Sequence, residues 1–209
     1  ADWAAYVVKK ENLKPGADRK DKWLADPWLE EKDALEPADY ENVNQIQSDR
    51  GHVVPLASFA NTEDVMQTDY LSNITPQKAE LNRGAWLKVE SAERNLAKSD
   101  GAVYVLTGTI YARKMQLLPK ADEPHTVPSG YFKVVYYVEK DEKRPFPIYA
   151  TAFIFDQSTP RNEPPLNHVV SIDSVEKVSG LDFFSDLPDE TENAIEAQTS
   201  KSFAERLLK

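Results

Sequence analysis

His52, preceded by Asp49-Arg50-Gly51, is the first residue whose surroundings suit chemistry. A neutral imidazole accepts a proton from water near neutral pH, and a positioned base is worth about 10²–10⁴-fold in rate. A lone histidine is more often structural, but the Asp-Arg pair before it and a glycine permitting an unusual backbone turn weigh the other way. Asn82 offers an amide oxygen, a hard neutral ligand for Mg²⁺, which keeps several waters and takes few protein ligands. An asparagine on a solvated helix face fits the same position. Glu90 and Arg94 follow on the same predicted helix. At about 100° per residue they lie roughly 80° and 120° round from Asn82, so all three can border one side. Glu90 and Arg94 can also pair as i,i+4 neighbours, a surface ion pair of small worth. A histidine to deprotonate water, an asparagine for a hard cation and arginines for phosphate oxygens together suit attack on a phosphodiester.

The elements that must position these residues follow from pattern. Residues 3–9 read as an apolar strand. Residues 10–48 are polar and broken by Pro15, Gly16, Pro27 and Pro37, which predicts an irregular excursion with short helical turns, pinned by packing of Trp23 and Trp28. Residues 52–59, an apolar run with a proline, fit an edge strand or a strand-to-loop transition, and residues 68–74 read as a second strand. Thr75 as N-cap with Pro76 at the first helical position predicts a helix from Pro76 to Lys98, ending before Ser99-Asp100-Gly101. Strands follow at 103–111, 131–138 and 148–155, from their Val, Tyr, Phe and Ile content, and a last helix at 189–208. With no repeat or linker, the chain reads as one α+β domain over residues 1–209.

Bulk properties narrow the function. The 209 residues carry 41% hydrophobic residues, enough for a real core, and no apolar run long enough to span a membrane. Zero cysteines excludes disulfides, thiolate catalysis and cysteine zinc sites, and three scattered histidines (His52, His125, His168) argue against a multi-histidine metal centre. A net charge of −10 opposes passive nucleic-acid binding. The acid is concentrated elsewhere, however. Residues 171–200 hold eight acids against one lysine, whereas residues 71–99 hold five bases against three acids. The chain begins at Ala1, as a processed secreted protein or an artificially trimmed one would.

The order Asp49-Arg50-Gly51-His52, Ser72-Asn73-Ile74-Thr75-Pro76-Gln77, Asn82-x-x-x-Trp86 and Glu90 closely resembles the DNA/RNA non-specific endonuclease family, the ββα-metal or His-Me finger nucleases. The Trp3–Val8 strand and the late Gly180-Leu181-Asp182-Phe183-Phe184 also look like that family, so the likeness is near full length. The resemblance implies a central antiparallel sheet flanked by helices, with a ββα-metal motif. It implies a Mg²⁺-dependent hydrolase of DNA and RNA, Mn²⁺ serving as the alternative ion, that leaves 5′-phosphate ends and acts in a secreted or periplasmic bacterial setting. His52 would be the general base and Asn82 the sole direct protein ligand of the metal. Glu90 would bond the metal's water shell, Arg50 and Arg94 would contact phosphate or support the site, and Asn73 would position waters or substrate. Asp69 is given no role. Two rivals stay open: a phosphodiesterase or pyrophosphatase of small nucleotides, and a non-catalytic nucleic-acid-binding module.

Overall fold

The computed structural model describes residues 2–13, 23–139 and 148–209. Strands β1 (Trp3–Val8), β4 (Val103–Ile110), β5 (Gly130–Val138), β6 (Ile148–Asp156) and β7 (Val169–Val170) form one antiparallel sheet in the order β1-β4-β5-β6-β7. Its long strands coincide, within a residue, with the β-branched and aromatic runs expected to form them. Strand periodicity of two sends alternate side chains of β5 to opposite faces. Tyr131, Val135 and Tyr137 join one core, and Phe132 and Val134 join another. Helix α2 (Leu87–Asp100) and α5 (Lys201–Leu207) cover the first face, and α3 (Ile172–Ser179) covers the second. This is an α+β fold with helices on both sides of an antiparallel sheet. No helix among the described residues is long and apolar enough to cross a membrane.

A separate two-stranded unit, β2 (Ser48–His52) against β3 (Ile74–Lys78), stands outside that sheet and feeds directly into helix. Its register pairs His52 with Ile74, Gly51 with Thr75 and Arg50 with Pro76. Several expectations are corrected here. Thr75-Pro76 does not open a helix. Both residues lie within β3, where a proline is tolerated because the strand pairs only with β2 and has an unpaired edge. Residues 52–59 are the strand-to-loop transition rather than an edge strand: only His52 belongs to a strand, and a short 3₁₀ turn follows at Leu56–Ser58. Residues 63–73 form 3₁₀ turns, with β3 beginning at Ile74.

The helix itself begins as α1 (Ala79–Leu81), passes through a π-helical turn at Asn82–Trp86, and continues as α2. Gly84 takes non-helical angles (φ −111°, ψ −114°) there. A Cβ on Gly84 would lie 2.7 Å from the Arg161 carbonyl oxygen and 2.8 Å from the Arg161 Cα. Backbone approaches backbone at this point, so only glycine fits. The uniform 100° step used to place Asn82 against Glu90 and Arg94 therefore does not hold across the turn. Trp86, at its end, is the anchor. It is 1% exposed and meets Tyr131 and Phe155 edge-on at centroid distances of 5.4 and 6.1 Å.

The N-terminal excursion is irregular, as its prolines imply, with 3₁₀ turns at Lys10–Leu13, Glu31–Asp33 and Val43–Ile46; residues 14–22 lie outside the described ones. Trp23 packs against a small core of Tyr40, Val43, Leu71 and Ile74. Trp28 does not pack: it is 86% exposed. The single terminal helix expected at 189–208 is two helices, α4 (Asp189–Glu196) and α5, broken at residues 197–200. Helix α3, not anticipated, is capped by Ser171, whose side chain accepts from the Ser174 amide, and stopped by Gly180 in the left-handed region.

Candidate active site

An open cleft of about 600 Å³ lies between β2 and the π-turn–α2 helix. His52, Arg50, Asn82, Glu90 and Arg94 all line it, joined by Asp49, Arg83 and Trp23. Five of the six residues expected at the site are thus brought together by two structural elements.

His52 ends β2, with its side chain 16% exposed. Its Nε2 lies 3.1 Å from Oδ1 of Asp69, a side chain only 4% exposed. With Asp69 as acceptor the contact selects the tautomer protonated at Nε2, the arrangement in which Nδ1 is the basic nitrogen. The indole of Trp23 tilts against the imidazole at a centroid distance of 5.5 Å. Trp23 is held there because Leu24 bonds the chain at both Asp69 and Leu71 (Leu24 N–H to Asp69 O, Leu71 N–H to Leu24 O).

Gly51 does not serve a turn. It lies mid-strand, and a Cβ would come within 2.6 Å of the Gln77 Cβ across the pair. The glycine admits close packing of β2 on β3 rather than an unusual φ.

Asn73 is also corrected. It does not line the cleft, because its amide is fully engaged by backbone. Oδ1 accepts from the Val54 amide at 2.9 Å, and Nδ2 donates to Val54 O and Thr68 O, both at 2.9 Å. Val54 follows His52 closely and Thr68 immediately precedes Asp69. Asn73 therefore clamps together the two segments that carry the histidine and its carboxylate partner.

Asn82 opens the π-helical turn. Its Nδ2 donates to Asp49 Oδ2 at 2.9 Å, and the same carboxylate is gripped by Arg83 through Nε at 2.8 Å and Nη2 at 2.6 Å. With the nitrogen fixed on Asp49, the amide's other end is a carbonyl oxygen that accepts no hydrogen bond among the described residues. The donor set suits a hard cation: an orientated amide oxygen and the buried Glu90 carboxyl line the same cleft, with no sulfur and no histidine pair there.

Glu90 is 9% exposed, and burial pushes its carboxyl up to about 7. The Lys133 and Arg94 charges pull it down, and Glu93 pushes it further up. The expected Glu90–Arg94 ion pair is not formed within 4 Å. Arg94 bonds Ser91 Oγ at 3.1 Å and keeps a buried Nη1 with no partner. Arg50 likewise donates to Tyr40 O at 3.2 Å, packs over Trp23 and Tyr40, and keeps a buried Nε with no partner. Both arginines line the cleft, two cationic side chains of the kind that recognise phosphate.

Behind the cleft, Lys133 is fully buried on β5. Its Nζ lies 3.1 Å from Glu93 Oε1, donates to the Tyr6 hydroxyl at 2.9 Å and sits 4.5 Å from the Trp86 ring centroid. His125 and His168 do not line the cleft.

Two contributors escaped the sequence reading, Asp69 and the supporting role of Asp49. Asp49 stood inside a recognised motif, which was the available signal. Asp69 had none, since its pairing with His52 is a tertiary contact.

Known proteins share this architecture. The nuclease of Serratia marcescens is 40% identical over 201 residues, covering 95% of this chain and 73% of the relative. Human mitochondrial endonuclease G is 28% identical over 192 residues, covering 87% of this chain and 62% of the relative. The crystal structure of the EndoG/EndoGI complex contains a chain of like fold, with a TM-score of 0.76 at 24% identity over 89% of this chain and 79% of that one. With residues 1–190 matching the family described as DNA/RNA non-specific endonuclease, the chain belongs to that family.

Proposed function

We propose that the cleft hydrolyses phosphodiester bonds of DNA and RNA with Mg²⁺, using His52 as general base and the Asn82 carbonyl oxygen as the direct protein ligand of the ion. The observation that carries this reading is the pairing of two fixed groups in one cleft: an imidazole held by Asp69 and an amide whose nitrogen is held by Asp49. Glu90, which lines the same cleft, would accept hydrogen bonds from the waters of such an ion. A divalent cation held there supplies Lewis-acid stabilisation of charge developing on the phosphate and the departing 3′-oxygen.

The chain's own residues do the rest. Arg94 and Arg50, which line the cleft, draw in the phosphate and seat the scissile group. His52 takes a proton from the attacking water at Nδ1, while the Nε2–H stays on Asp69. Trp23 covers one side of the ring and limits its rotation. Water then attacks phosphorus in line, and the bond from phosphorus to the 3′-oxygen breaks. That oxygen takes a proton from solvent to leave as a 3′-hydroxyl, and the 5′-phosphate stays with the downstream fragment. Tolerance of both sugars follows from contacts made to phosphate, which carries neither base nor sugar information. Both a bacterial nuclease and a mitochondrial enzyme stand among the relatives, so family alone does not assign the compartment.

The test is digestion of plasmid DNA and total RNA by the wild type with Mg²⁺, with EDTA, and by His52→Ala. Metal-dependent cleavage of both polymers, lost in the variant, is expected. Cleavage of small dinucleotide diesters alone would replace this reading with the small-nucleotide one.

A further inference from the structure

On the sheet face opposite α2, helices α3 and α4 bring three carboxylates to one point. Asp173 and Glu176 stand at i,i+3 on α3 and share a face. Glu196 closes α4. One oxygen from each lies within 4.8 Å of the others. None of the three lines the catalytic cleft.

This is more than an acidic surface. Glu196 is only 6% exposed, and its Oε1 is buried with no hydrogen-bond partner. No lysine, arginine or histidine reaches any of the three carboxylates as an ion pair within 4 Å among the described residues. Glu176 is fixed from behind, its Oε1 accepting from the Phe183 amide at 2.7 Å. Asp182 and Glu192 add further negative charge nearby. Glu196 stands against the Glu176 carboxyl with no basic counter-charge, an arrangement poorly tolerated when both are ionised, and a cation between them relieves it.

Coordination chemistry selects among cations: Ca²⁺ accepts an irregular all-oxygen set of carboxylates and waters, whereas Mg²⁺ demands near-ideal octahedral geometry. An all-carboxylate set with one exposed member, Asp173, leaves the outer positions to water. We propose that Asp173, Glu176 and Glu196 bind a calcium-sized divalent cation that fastens α4 to α3, at a site separate from the catalytic cleft. The cation is structural and takes no part in hydrolysis.

The experiment titrates Ca²⁺ into the EDTA-stripped full chain, followed by calorimetry and by melting temperature. It compares the wild type with Glu196→Gln, Asp173→Asn and Asn82→Ala. Asn82→Ala removes the oxygen proposed to hold the catalytic ion and so isolates the second site. Wild type and Asn82→Ala should both bind Ca²⁺ with Kd on the order of 10⁻⁴–10⁻³ M and melt higher with it. Glu196→Gln should bind about tenfold more weakly, from the loss of one ligand charge, and lose the rise. Asp173→Asn, exposed and harmless to folding, should weaken binding in the same direction. A Glu196→Gln chain, folded by circular dichroism, with the wild-type rise would overturn the proposal. So would a rise confined to chains with Asn82 intact. So would a wild type that ignores Ca²⁺ while Glu196→Gln melts higher in EDTA, which would show that the cluster shares a proton instead.

Discussion

Asp49 holds Asn82 by its amide nitrogen at 2.9 Å, and Arg83 holds Asp49 by both of its oxygens. The relay decides which end of the amide faces the cleft, because the carboxylate can only accept and so binds the nitrogen. Partners that orient a metal ligand commonly matter about 10–100-fold in affinity. Asp49→Ala should therefore raise the Mg²⁺ concentration for half-maximal cleavage by that factor, with a much smaller change at saturating metal. A titration that superposes on the wild type would remove Asp49 as the orienting group.

Asp69 acts on His52 in a comparable way, but through geometry alone. Removing it in Asp69→Ala frees the ring to turn, and kcat should fall about tenfold or more, within the ~10²–10⁴-fold that a general base contributes. KM should stay within about twofold. Asp69→Asn keeps a carbonyl acceptor for the Nε2–H and should recover most of the rate. If the asparagine variant is as slow as the alanine one, the carboxylate charge rather than ring orientation is what matters.

How much of this was legible beforehand varied with the range of the forces involved. The sheet strands were readable because β4, β5 and β6 are dense in Val, Tyr, Phe and Ile, whose packing is a local property. The motif residues were readable because β2 and one helix carry nearly all of them. Thr75-Pro76 misled because it is a good helix-start signature, overridden here by pairing of Arg50 with Pro76. Gly51 and Gly84 were visible as glycines, but their reasons, the Gln77 side chain and the Arg161 backbone, are distant in sequence. The same holds for Asp69 and for the acidic point between α3 and α4. No spacing rule links those residues, since only the folded chain brings them together.

Lys133 and Glu93 test the packing behind the site. Both side chains are fully buried, so losing one leaves a charge with no solvent to compensate it. Lys133→Met should destabilise the fold by about 3–5 kcal/mol, and Lys133→Met combined with Glu93→Leu should regain most of that. Denaturant unfolding of the single and double variants reads both. Near-additive losses would mean that the pair is not coupled.

If the proposed site is right, Glu90 should make metal uptake pH-dependent. Burial chiefly raises its carboxyl to about 7 in the metal-free chain, with Glu93 adding to the rise and Lys133 and Arg94 opposing it. The folded value lies above the unfolded one, so its contribution to stability is full below about 4.5 and is lost as pH rises through 7. A divalent cation favours the ionised carboxylate, so below pH 7 each ion bound displaces a proton. Apparent Mg²⁺ affinity should then fall by about tenfold per pH unit below 7 and level off above it. Calorimetric titration of Mg²⁺ into His52→Ala, from pH 5.5 to 8.5, separates this from titration of the base. Glu90→Gln should bind more weakly at high pH and show a flattened profile. If the slope below pH 7 persists in Glu90→Gln, some other group releases the proton.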